Sequence, residues 1–180
     1  MLAIHEPHLT EEEFLRLPEG PHRMELLDGQ VVVSPAPLPL HQREVLRLTL
    51  HLHAWVQAQA SGAWEVVGAP LDTWFGPGRI LEPDLVLFPR RPGDREHPVR
   101  VLPALVVEVS SPSTRRYDRE TKRRVYADAG VPELWLVDPE GAIDVAWGPG
   151  LAAELAVGTL APSPTLPGLS VDARRGPDAG

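Results

Sequence analysis

The 180-residue sequence contains no cysteine. Disulfides, thiolate zinc sites, iron–sulfur clusters and thiol nucleophiles are therefore excluded. Lysine is almost absent: of 17 basic residues, only Lys122 is not arginine. Positive charge is also in deficit, with 17 basic against 25 acidic residues and a formal net charge of −8. Nucleic acid would then have to be met through a local basic patch. No apolar run approaches the ~20 residues of a membrane span, and residues 1–10 lack the basic start and apolar stretch of a secretory signal. The chain reads as soluble and cytoplasmic. No P-loop, dinucleotide fingerprint or G-x-S-x-G elbow is present.

What remains is a globular composition, 43% hydrophobic and 23% charged, with 21 prolines and 15 glycines that call for many turns and short elements. A chain of this length buries roughly 70% of its unfolded surface. We expect one domain over 1–171 and a flexible polar tail over 172–180. Thr10 and Glu13 form a capping-box pattern at the start of a short helix. Asp28-Gly29 separates two strand-like runs and predicts a hairpin. Helical spacing of Val45, Leu48, Leu52, Trp55 and Val56 predicts a buried helix over 41–60. Strands are expected over 64–71, 80–88, 104–109, 133–137, 142–147 and 151–159, with a further helix over 118–129. The order implies a mixed sheet flanked by helices, hence α/β or α+β.

Two acids lie where such a fold resists them. Asp84 sits in Leu81-Glu82-Pro83-Asp84-Leu85-Val86-Leu87-Phe88, and Glu108 in Leu105-Val106-Val107-Glu108-Val109-Ser110. Burying a carboxylate costs several kcal/mol unless it is paired. Either the two face solvent on a half-exposed sheet, or they converge on a divalent cation, and Mg²⁺ needs only one or two carboxylates plus water. As a pair they could also serve as a glycosidase acid and base. Asp118, Lys122 and Tyr126 are spaced i, i+4, i+8 and share one helix face. An ammonium there could sit beside a metal-bound water and a phosphate, or be a surface lysine weakly paired with Asp118. Arg115, Arg116, Arg119, Arg123 and Arg124 surround it, as a solvated helix face or a phosphate-facing rim. His41, at the start of the long helix, either faces the site or is satisfied locally. His51 and His53 point to different sides and cannot form a metal pair. Trp74 and Phe75 are dimer contacts or, more simply, core.

The segments Glu82-Pro83-Asp84-Leu85-Val86, Val106-Val107-Glu108-Val109-Ser110-Ser111-Pro112-Ser113-Thr114, Asp118, Lys122, Tyr126, and Gly130-Val131-Pro132-Glu133-Leu134-Trp135-Leu136-Val137-Asp138 resemble the Uma family of restriction endonucleases, within the PD-(D/E)xK nuclease superfamily. The resemblance runs from about Met24 to Asp138. It implies a restriction endonuclease-like mixed sheet with helices on both faces. It implies a Mg²⁺-dependent DNA endonuclease, with Mn²⁺ as a substitute ion, in which Asp84 and Glu108 hold the metal. The superfamily pattern places lysine two residues after the second acid, where this chain has Ser110, and the resemblance implies that Lys122 has taken over from the following helix. Glu25 is then an extra acid of the site or a turn-flanking surface residue. Many nucleases of this fold act as dimers, so a homodimer is compatible with the resemblance. The competing expectation is a nuclease-fold module that binds nucleic acid or a protein without cutting.

Overall fold

At Asp28-Gly29 both residues take positive φ, 49° and 88°, the conformation a tight two-residue hairpin demands and glycine supplies without steric cost. This hairpin joins β2 (Arg23–Leu27) to β3 (Gln30–Ser34). Ahead of it lie β1 (Ala3–His5) and the single-turn helix α1 (Glu11–Phe14), whose N-cap is the expected reciprocal box between Thr10 and Glu13. The computed structural model of the protein describes residues 3–5, 8–18, 20, 22–59, 62, 64–111, 114–139 and 142–173. Residues 174–180 of the expected tail, and Pro112 and Ser113 of the loop after Glu108, lie outside the described residues.

Helix α2 (Pro39–Gln57) begins two residues earlier than the apolar period suggests, because Pro39 fits the first helical turn, where no donor is needed. Then come β4 (Glu65–Gly68), β5 (Thr73–Trp74), β6 (Arg79–Leu81), β7 (Leu85–Phe88) and β8 (Leu105–Val109). The continuous strand expected over 80–88 is in fact two strands in two sheets. Pro83 cannot donate to a ladder, and the chain breaks at Glu82-Pro83-Asp84. Asp84 consequently stands at the threshold of β7.

A π-helical turn, Tyr117–Lys122, runs into α3 (Arg123–Ala129), which stops at Gly130 in the left-handed region. Strands β9 (Glu133–Val137), β10 (Ile143–Trp147), β11 (Ala153–Val157), β12 (Ala161–Pro162) and β13 (Ser170–Val171) complete the chain. One sheet has the order β1-β3-β2-β6-β5, and a six-stranded mixed sheet the order β11-β10-β9-β8-β7-β4. The parallel pair β8–β9 needs a crossover, and the π turn with α3 supplies it.

Period-two alternation sorts the two faces of the larger sheet. Leu85, Leu87, Leu105, Val107 and Val109 pack on Leu48, Leu52 and Trp55 of α2. Val86, Phe88 and Val106 pack with Leu81, Phe75 and α3's Val125 and Tyr126 on the opposite side. Phe75 is therefore core, stacked edge-on against Tyr126, and Trp74 is half-buried beneath Arg100. No helix of the described residues is long and apolar enough to cross a membrane.

Candidate active site

The antiparallel register Leu85↔Val107 and Val86↔Val106, continued by one residue, sets Asp84 opposite Glu108. Residues directly opposed in a sheet project to the same face, and that face is the one covered by α3. Both acids are buried, as are Glu25, Asp118 and Lys122. Neither strand acid is a solvent-facing residue on a half-exposed sheet.

Lys122 lies at the centre. Its Nζ is 2.7 Å from Glu25 Oε1 and 3.0 Å from Glu108 Oε1, so one ammonium ties the hairpin strand β2 to the central strand β8. Burial alone would lower its pKa, but Glu108 and Glu25 hold it above the ordinary lysine value. The shared face of Asp118, Lys122 and Tyr126 is realised: the buried Tyr126 hydroxyl also donates to Glu108 Oε1. The π turn widens the helix here, a distortion that recurs at functional sites. Both hydrogen bonds to Glu108 fall on Oε1. Its Oε2 accepts none among the described residues.

Asp84 is held differently. Oδ1 accepts from Arg23 Nη1 at 2.9 Å, and Oδ2 from the Val109 amide at 2.7 Å, with His41 Nε2 at 3.2 Å. Burial would raise its pKa, but the His41 hydrogen bond and the Arg23 charge bring it down to about 2. Glu108 moves the other way: burial and the Asp84 charge raise it to about 8 against the pull of Lys122. Burial likewise raises Asp118, and lifts Glu82 to about 7. Of two acids set side by side, one is held ionised and the other is poised to take a proton.

These groups share a cavity of about 1190 Å³. Five carboxylates line it (Asp72, Glu82, Asp84, Glu108 and Asp118) against two fixed cations, Arg23 and Lys122. The carboxylates supply the oxygen donors that a hard divalent cation such as Mg²⁺ takes, and His22, His41 and His97 line the same cavity. Among the described residues no group of three or more His, Asp or Glu side chains stands in metal-ligating geometry. Asp84 and Glu108 are the two carboxylates that the strand register sets opposite each other.

Glu25, weighed between site and surface, and His41, weighed between facing the site and being satisfied locally, both belong to this cluster. The arginines flanking Lys122 do not. Arg115 pairs with Asp138, Arg116 with Glu120, Arg119 with Asp144 and Arg123 with Glu154, and none of the four lines the cavity. Sequence reasoning missed Arg23, although it lies two residues before Glu25 on one strand, and strand alternation places both on the same face. It also missed Tyr117, whose ring lies 5.7 Å from Lys122 Nζ. Ser110, two residues after Glu108, is buried, and its hydroxyl has no hydrogen-bond partner among the described residues.

The fold is shared with a solved structure from Anabaena variabilis ATCC 29413, described as "a putative nuclease belonging to DUF820". The match has a TM-score of 0.71 at 20% identity and covers 87% of this chain and 89% of that one. It bears out the expected nuclease-type fold of mixed sheet and flanking helices. No curated protein matches the sequence. The model of the Uma2 family, "Putative restriction endonuclease", matches residues 11–174. That span takes in every strand but β1 and every residue of the cluster around Lys122, and on it the chain belongs to the Uma2 family.

Proposed function

We propose that the protein is a divalent-cation-dependent DNA endonuclease, with Asp84 and Glu108 as the metal-holding pair and Lys122 as the catalytic lysine. One observation carries the reading: two carboxylates opposed across β7 and β8, and the chain's only lysine at 3.0 Å from one of them. A bound Mg²⁺ or Mn²⁺ would supply Lewis-acid polarisation of a phosphate oxygen and lower the pKa of water. Asp84, kept ionised by Arg23 and His41, offers a permanent negative ligand. Glu108 offers Oε2 once it gives up its proton. Lys122 and Tyr126 fix the Glu108 carboxyl from the opposite oxygen, and the ammonium stands ready to balance charge building on the phosphate. Glu25 orients Lys122 from the neighbouring sheet.

Ser110 in the superfamily's lysine position favours one other reading, a fold that binds without cutting. Plasmid DNA separates the two. With Mg²⁺ or Mn²⁺ the nuclease nicks or linearises the plasmid, chelator stops it, and Lys122→Ala reduces the rate by about 100-fold or more, the scale of losing one preorganised electrostatic group. A plasmid left intact under every metal condition assigns the chain to the binding class.

A further inference from the structure

Strand β2 delivers one group to each acid of the proposed metal pair. Glu25 holds Lys122, which meets Glu108. Arg23, on the same face of the strand, places Nη1 at 2.9 Å from Asp84 Oδ1. The lysine is engaged with both of its carboxylates, whereas the arginine is engaged through one nitrogen only. Arg23 Nε and Nη2 are buried and have no hydrogen-bond partner among the described residues. Glu82 Oε2 lies 3.8 Å from Nε, an ion pair beyond hydrogen-bond range. His41, the other side chain on Asp84, likewise keeps a buried Nδ1 without a hydrogen-bond partner.

A buried donor left unpaired is costly, and a charged one more so. The two free nitrogens of Arg23 are not scattered. Nε and Nη2 form one edge of the planar guanidinium, where two N–H bonds run parallel, the geometry that grips a pair of oxygens on one carboxylate or phosphate. That edge shares its central carbon with the nitrogen bonded to Asp84, so an oxyanion on it lies beside that acid. Arg23 lines the same cavity as Asp84, Glu108 and Lys122. A phosphodiester carries the matching pair, two non-bridging oxygens that share one negative charge.

Resting on the endonuclease reading above, we propose that Arg23 is the phosphate receptor of the site: its Nε–Nη2 edge takes the two non-bridging oxygens of the phosphodiester to be cut, displacing Glu82, while Nη1 keeps Asp84. One rigid guanidinium then fixes the phosphate relative to the acid proposed to hold the metal, so its contribution is orientation. Lysine does not substitute for it, because an ammonium is a point charge without the parallel pair of donors.

The full chain is titrated with the thymidine dinucleoside monophosphate, which carries one phosphodiester, and with its methylphosphonate analogue, in which a neutral methyl replaces one non-bridging oxygen. Ca²⁺ stands in for Mg²⁺, and binding is read by nuclear magnetic resonance. Thermal melting and Mn²⁺ uptake are followed in parallel. The wild type should bind the diester about tenfold more tightly than the methylphosphonate, the scale of one charge-assisted hydrogen bond. Arg23→Lys, which keeps a cation beside Asp84, should lose that preference by weakening the diester alone, with Mn²⁺ uptake retained. Glu82→Gln, which removes the competing carboxylate, should bind the diester at least as tightly as the wild type. Should Arg23→Lys fail to fold, the wild type decides: its Arg23 Nε–H resonance moves with the diester and stays with the methylphosphonate, and an unmoved resonance overturns the proposal. Equal preference in wild type and Arg23→Lys, or weaker diester binding by Glu82→Gln, also overturns it. An Arg23→Lys variant that loses Mn²⁺ uptake together with the diester assigns Arg23 to Asp84 alone, and the proposal fails. A wild type that takes up Mn²⁺ but shows no preference for the diester overturns the receptor alone. A wild type that neither takes up Mn²⁺ nor cuts plasmid overturns the endonuclease reading as well.

Discussion

Asp84 and Glu108 are two carboxyls of one cavity whose surroundings drive them apart. Asp84 accepts three hydrogen bonds, from Arg23, His41 and the Val109 amide, whereas Glu108 is buried with Lys122 and Tyr126 on a single oxygen. The sign of the linkage follows. Asp84, depressed to about 2, adds stability that is fully present above the ordinary carboxylate range and is lost as pH falls from about 4 toward 2. Asp84→Asn should flatten that acid limb of a stability–pH profile measured by denaturant unfolding; an unchanged limb would contradict the assignment. Glu108, raised to about 8, holds a proton that a cation must displace. Metal uptake below that pH should release protons, seen as a calorimetric heat that changes with the ionisation enthalpy of the buffer. Lys122→Met leaves Glu25 and Glu108 without their shared cation. Removing one partner of a buried pair costs about 3–5 kcal/mol, and the loss should be larger above about pH 8, where Glu108 is ionised, than below it, where Glu108 carries a proton. A loss independent of pH would contradict this ion-pair account.

At the scale of elements, the strand break at Glu82-Pro83-Asp84 and the π turn at Tyr117–Lys122 do the positioning. The break places Asp84 at the mouth of β7, and the π turn lets Lys122 and Tyr126 reach one carboxyl oxygen. Gly130 ends the crossover at φ 82° with open space around it, so its role is conformational. Gly130→Ala should cost about 1 kcal/mol in urea unfolding with no change in metal uptake. The hairpin at Asp28-Gly29, the capping box at Thr10 and the apolar face of α2 are each legible from local pattern, because local physics decides them. The division of 80–88 between two sheets is not, because periodicity records which faces are buried and does not record which sheet buries them. Asp84, Glu108 and Lys122 are legible as acids in apolar strands and a lone lysine. Arg23 is not, because its place depends on β2 pairing with β6, a contact between residues far apart in sequence. Arg115, Arg119 and Arg123 mislead for the same reason: their carboxylate partners Asp138, Asp144 and Glu154 lie on later segments.

Over the whole molecule, the Glu25–Lys122–Glu108 bridge joins the two sheets, so the site is also a brace of the fold. The proposed function puts a divalent cation between Asp84 and Glu108. Calorimetric titration of Mn²⁺ into the full chain tests this most directly. The account predicts saturable uptake by the wild type, weakened at least about tenfold in both Asp84→Asn and Glu108→Gln, since each removes a charged ligand. Absence of uptake by the folded wild type, or equal affinity in all three proteins, would contradict it.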